Sequence, residues 1–160
     1  MLRGGKRQDL TPSQAQNRRM TDAAADTSPA TASGRCLCGA IHFHVPLPPK
    51  WVAHCHCTRC QRAHGAPVVT WLGAHESGST IDDPQGALRW YVAPETGAER
   101  GFCGTCGSPL FFRSARWPGE LHVARMQFTD DVGRAPQAHV NWDTHVDWLA
   151  FNDELPKKSG

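Results

Sequence analysis

From residue 40 onward, apolar and polar positions alternate in short bursts. Ala40–Val45 (AIHFHV) has the period of two expected of a half-buried strand, and the prolines of 46–49 end it. Pro67–Ala74 (PVVTWLGA), Ala87–Ala93 (ALRWYVA), Pro109–Arg113 (PLFFR) and Glu120–Met126 (ELHVARM) read as further short strands. Turn residues separate them: Ser77-Gly78, Asp83-Pro84, Glu95 to Gly97 and Trp117 to Gly119. Thr58–His64 (TRCQRAH) is the one segment with helical character, stopped by Gly65 and then Pro67. Asp143–Asn152 is expected to add a turn of helix. No fixed-period repeat is visible. The pattern predicts a mainly β, single domain of short antiparallel strands. Its aromatic core candidates are Trp71, Trp90, Phe102, Phe111, Phe112 and Trp148.

The N-terminal segment has a different texture. Apart from Met1, residues 1–34 hold only Leu2, Leu10 and Met20 as large apolar side chains. Such a stretch buries too little surface to offset its ordering entropy. The expected division is a disordered tail over 1–33, a folded body over 34–156, and a short C-terminal tail over 157–160. Met20 is a candidate translation start. Three acids and no amphipathic period argue against a mitochondrial leader, and no apolar stretch suits a secretory signal.

Charge and composition then narrow the function. The net charge of the 160-residue chain is +2. Residues 1–34 carry five basic and three acidic residues, so the excess lies in the tail and the body is neutral. A neutral body argues against a protein that grips phosphate backbones, so no nucleic-acid partner is expected. No apolar run approaches the ~18 residues of a membrane span, so no membrane partner is expected either. Oligomeric state is not legible.

The chemistry lies in seven cysteines, all within residues 36–106. An odd number cannot pair completely into internal disulfides, and no secretory signal is visible. A reducing, cytoplasmic setting follows. The cysteines form three clusters: Cys36/Cys38, Cys55/Cys57/Cys60 and Cys103/Cys106. Zinc takes thiolates at tetrahedral corners, and a C-x-C or C-x-x-C turn supplies two corners at once. Gly39 and Gly107 follow two of these turns, where the chain must bend. A thioredoxin-type redox pair at Cys103/Cys106 would need a long helix after it, but Pro109–Arg113 is strand-like. Seven ligands divide as four plus three. Cys36, Cys38, Cys103 and Cys106 would close a structural site. Cys55, Cys57 and Cys60 would leave a fourth corner open, the arrangement of catalytic zinc. A second closed site completed by His54, His56 or His64 is the alternative.

These motifs resemble the glutathione-dependent formaldehyde-activating enzyme family, which includes the centromere-protein-V-like proteins. The carriers are Gly34 to Gly39 (GRCLCG), His54 to Arg62 (HCHCTRCQR) and Phe102 to Ser108 (FCGTCGS), with an ending from Trp148 to Pro156. The resemblance spans about residues 34–156. It implies a β-tent fold shared with the Rab nucleotide-release factor. It also implies a structural zinc on Cys36, Cys38, Cys103 and Cys106, and a catalytic zinc on Cys55, Cys57 and Cys60. The implied activity is that of a carbon–sulfur lyase or thiol–aldehyde adduct enzyme. It would use glutathione or a related small thiol with an aldehyde or thioether substrate. Two zinc ions per chain and glutathione as a possible co-substrate follow. Of the nearby residues, His54, His56 and His64 are candidate bases; Arg59 and Arg62 are candidates for binding the carboxylates of a glutathione-like thiol. His122, His139 and His145 lie far from the cysteines in sequence and read as surface or core residues. The rival function is a non-catalytic zinc module that binds a protein partner.

Overall fold

A computed structural model describes residues 30–160. Among these residues eleven strands form two sheets. Strands β1 (Thr31–Arg35), β2 (His42–Pro46) and β5 (Thr80–Asp82) make the smaller sheet, in the order β1-β2-β5. The larger contains β3 (Trp51–Cys55), β4 (Val69–His75), β6 (Leu88–Val92), β7 (Glu99–Cys103), β8 (Pro109–Arg113), β9 (Glu120–Ala124), β10 (His139–Val140) and β11 (Lys157–Lys158). Their order is β11-β10-β3-β4-β9-β8-β7-β6. Pairing is antiparallel except at β10, which runs parallel to both β3 and β11. Helix α1 (Thr58–His64) is the one α-helix among the described residues. The mainly β, single-domain expectation holds. No helix among the described residues is long and apolar enough to cross a membrane.

The predicted helix matches α1 residue for residue. Cys57 caps it, its sulfur accepting the Cys60 N–H at 3.3 Å, and Gly65 ends it at φ 61°. A left-handed residue costs glycine nothing, which is why the stop is there. The predicted strands match β2, β4, β6, β8 and β9 to within about two residues at most ends, the usual scatter of such boundaries. Six strands were not legible. The clearest is β1, whose first three residues fall in the segment assigned to the tail. Its buried positions are Ala32 and Gly34, too small to register as an apolar alternation. Gly34 is required there: a Cβ would lie 2.1 Å from the Phe43 ring and 2.5 Å from the Gln127 carbonyl. At the other end, Lys157–Lys158 pair with β10 instead of trailing free. The rest of the expected tail, residues 1–29, lies outside the described residues. Asp143–Asn152 forms no α-helix; a 3-10 turn occupies Trp142–Thr144.

Side chains from both sheets share one core. Phe43 of β2 meets Phe111 of β8 edge-on at 5.3 Å and Phe128 at 5.2 Å. Ile41, Val45, Val52, Leu72, Leu110 and Val123 complete it, all fully buried. A second, smaller cluster contains Val69, Trp71 and Ala124 with Cys55 and Cys60. Leu72 and Trp71, Val123 and Ala124, Phe111 and Phe112 are neighbours in sequence but belong to different clusters. Strand alternation therefore makes the middle of the large sheet apolar on both faces. Of the predicted aromatic core, Trp71 and Phe111 are buried, and Trp90, Phe102 and Phe112 are partly so. Trp148 is a correction: it is 72% exposed, on the loop after Thr144 where no strand turns it inward.

Phe43 is the contact through which the small sheet grips the large one. Phe43→Ala is expected to cost about 3–5 kcal/mol of stability, measured by chemical denaturation.

Candidate metal centre

None of the seven cysteines is disulfide-bonded, and they gather into the two groups expected from spacing. Cys36, Cys38, Cys103 and Cys106 form one, with sulfurs all within 4.8 Å of one another. Cys36 Sγ and Cys38 Sγ are 3.5 Å apart, and Cys38 Sγ and Cys103 Sγ 3.8 Å. Metal–sulfur bonds of about 2.3 Å to a tetrahedral zinc put sulfurs about 3.8 Å apart, so the geometry fits the ion. Two matching loops build the group. Cys36 follows β1 and turns through Gly39 at φ 77°; Cys103 ends β7 and turns through Gly107 at φ 76°. The Ser108 hydroxyl accepts the Leu37 N–H at 3.0 Å and lies 3.2 Å from Cys106 Sγ, so one side chain bridges both loops. Its hydrogen bond brings the Cys106 thiol down to about 5. The strand after Cys106 is β8, as expected, so no thioredoxin-type helix follows.

The second group is Cys55, Cys57 and Cys60, again with sulfurs within 4.8 Å. No histidine or carboxylate among the described residues joins it at that range. Cys55 ends β3, Cys57 caps α1, and Cys60 lies on the buried side of its first turn. Hydrogen bonds from the Cys55 and Cys60 thiols bring Cys57 down to about 2, helped by the Arg100 charge. The same pairing pushes Cys55 up. A bound divalent ion would favour the fully deprotonated set.

Residues distant in sequence surround the group. Asn141 Nδ2 lies 3.4 Å from Cys55 Sγ; its own backbone is left-handed at φ 54°, which asparagine tolerates better than most residues. Both terminal nitrogens of Arg100 lie 3.8 Å from Cys60 Sγ. Gln61 Nε2 reaches the carbonyls of His56, Pro67 and Thr144 at 2.8, 3.1 and 3.1 Å, tying α1 to both flanking loops.

The candidate histidines separate. His56 is fully buried, its Nε2 2.7 Å from His139 Nδ1, and His139 Nε2 is 3.0 Å from both Asp153 oxygens. With Asp153 ionised, His139 donates to it and His56 donates to His139. A neutral His56 then keeps its Nδ1 as a bare acceptor, and that atom has no partner among the described residues. Burial above all holds His56 down to about 4. His54 bonds Thr70 Oγ1 at 2.8 Å. His64 is half-buried, edge-on to Trp71 at 5.1 Å. Burial and then the Arg100 charge hold it down to about 4. Arg59 and Arg62 are exposed on α1.

His139, Asn141, Asp153 and Arg100 carry no signal in the sequence. The parallel register of β10 on β3 brings in His139 and the adjoining Asn141, placing Val140 opposite Cys55, and Asp153 reaches His139 from the loop before β11. His122 lies on the same sheet face but bonds Glu120 at 3.1 Å, and His145 stacks on Trp142 at 4.1 Å.

This pairing of a four-cysteine and a three-cysteine site on a mainly β domain defines a class of protein, and comparison with known proteins identifies which. The sequence profile of the glutathione-dependent formaldehyde-activating enzymes matches residues 31–144, so the chain belongs to that family. A Halomonas elongata protein assigned by name as a glutathione-dependent formaldehyde-activating enzyme is 27% identical over 122 residues, covering 72% of this chain and 78% of the relative. An uncharacterized lyase of Schizosaccharomyces pombe is 29% identical over 79 residues, 49% of this chain and 55% of that one. A Rhodobacter sphaeroides crystal structure superimposes with a TM-score of 0.54 at 24% identity, covering 65% of this chain and 97% of that one; it supports the fold.

Gln61 holds α1 in place beneath the three sulfurs. Gln61→Leu should cost about 1–3 kcal/mol in denaturation by stranding carbonyls that its amide now satisfies.

Proposed function

We propose that the chain is a zinc-dependent enzyme that makes or breaks a carbon–sulfur bond between a small thiol and an aldehyde, with glutathione and formaldehyde as the reference pair. The observation that carries this is the contrast between the clusters: four sulfurs at one site, and three at the other with no fourth protein ligand in reach among the described residues. Three protein ligands with a vacant corner is how catalytic zinc is held, and four thiolates is how structural zinc is held. A zinc ion at Cys55, Cys57 and Cys60 would supply Lewis acidity, favouring the thiolate form of a thiol beside it.

In the forward direction the thiol sulfur bonds to the carbonyl carbon, the C=O π pair moves to oxygen, and the thiol proton ends on that oxygen. The reverse breaks the carbon–sulfur bond and returns the aldehyde. The chain's own residues serve this in two ways. Trp71 and Phe112 give the site an apolar floor that limits water, and both lie on the sheet face of the three cysteines. His64, half-buried and neutral, suits a proton carrier that substrate can reach. His56 is sealed from solvent, so its role is to hold the Cys55–Cys57 segment through His139 and Asp153. Arg59 and Arg62, exposed one turn away, are available to the carboxylates of a glutathione-like thiol. Chemistry of this kind suits a reducing compartment such as the cytoplasm, where free thiols persist.

Metal analysis of the purified chain is expected to find about two zinc ions, one for each cluster. Cys57→Ser should lose one of them and reduce thiol–aldehyde turnover to the uncatalysed rate while the fold survives. Cys103→Ser should lose the other and lower the unfolding midpoint. Full turnover and full zinc in Cys57→Ser would overturn the proposal. One zinc in the unaltered chain with no thiol-dependent activity would point instead to a protein-binding zinc module.

A further inference from the structure

Arg100 differs from the two other arginines on the strands of the large sheet. Arg113 is paired with Glu99 and Glu76, and Arg89 turns its guanidinium to the carbonyls of Gly86 and Leu88. Arg100 has no carboxylate partner among the described residues, and its polar contact is the Cys60 sulfur. Strand alternation is the cause. Glu99 and Arg100 are consecutive in β7, so their side chains leave opposite faces of the sheet. Arg113, across from Glu99 on β8, takes the carboxylate. Arg100 is left on the side of the three cysteines. There it lies 4.9 Å from the ring centroid of Phe112, its cross-strand partner. The ring contact holds the guanidinium over Phe112 while its N–H edge faces the sulfur side of the site.

We propose that Arg100 makes the open corner of the three-cysteine site selective for anionic ligands, thiolates foremost, over neutral ones. The inference rests on the reading of that site as an open zinc centre. Three thiolates and a divalent ion sum to −1, and the Arg100 guanidinium restores neutrality. An incoming thiolate then takes the assembly to −1; without Arg100 it would reach −2. A neutral ligand leaves the sum unchanged, so its binding is insensitive to Arg100. The site is half-buried, where such a difference is screened far less than in water. Arg100 would thus be a specificity-determining residue that acts on the charge of whatever enters.

The test uses the full chain loaded with cobalt(II), whose visible spectrum reports a new ligand without any turnover. Glutathione, azide and imidazole are titrated into the unaltered protein and into Arg100→Gln and Arg100→Lys. The expected result for Arg100→Gln is a weakening of glutathione and azide on the order of 10- to 100-fold, with imidazole within about threefold of the unaltered chain. Arg100→Lys should recover most of the loss, with cobalt content equal in all three proteins. Equal weakening of all three ligands, no weakening of either anion, or loss of cobalt from both variants would overturn the proposal. Arg100-dependent binding of azide by a chain that ignores glutathione would uphold the role of Arg100 and remove the thiol substrate. Glutathione binding that is indifferent to Arg100 would do the reverse. If no ligand binds the unaltered chain, the open corner and the selectivity fall together.

Discussion

Successive side chains of a strand leave opposite faces, and in this protein that rule divides the molecule in two. The central strands β4, β8 and β9 are apolar on both sides. One side packs against the small sheet through Phe43 and Phe111 and runs into Cys36 and Cys103. The other carries Trp71, Phe112 and Ala124 and runs into Cys55 and Cys60. Two thiol clusters of similar composition are thereby kept on separate faces of one sheet. Their sulfurs cannot mix, and each site can have its own ligand count.

The two sites are assembled differently. The four-cysteine site joins the end of β1 to the end of β7, so it ties the small sheet to the large one. A bound ion there would contribute directly to folding, because its ligands come together only in the folded chain. The three-cysteine site draws its sulfurs from one short stretch and its surroundings from everywhere else. Asn141 reaches Cys55, Arg100 reaches Cys60, and Gln61 and the His56–His139–Asp153 chain hold the loops between. Aromatic and imidazole rings pack through this region, with His56 against Trp142 and Phe151 and His64 against Trp71. Such packing keeps the imidazoles neutral and raises the weight of each fixed charge.

Much of this was readable in one dimension. Helix α1 was legible because the turn and its stop lie within ten residues, and the stop needs only a glycine. Strands β4 and β8 were legible because their apolar residues are large. Strands β1, β7 and β10 were not, because glycine, arginine and histidine occupy places that pairing partners make strand-like. Trp148 misled for the converse reason: a large ring says nothing about the direction in which its loop leaves it.

The sequence by itself determined the cysteine chemistry. Cysteine spacing within a turn is a local property, so the two pairs and the triplet were set before any fold was known. Which pairs share a site across 65 residues matched expectation but was decided by the pairing of strands. Only the tertiary structure decided the rest of the site: that no histidine completes the triplet, that Asp153 anchors a histidine chain beside it, and that Arg100 faces sulfur. These depend on strand register and on which face of a sheet a side chain leaves. A shift of one residue in β7 would turn Arg100 to the other face, and one in β10 would take His139 away from His56.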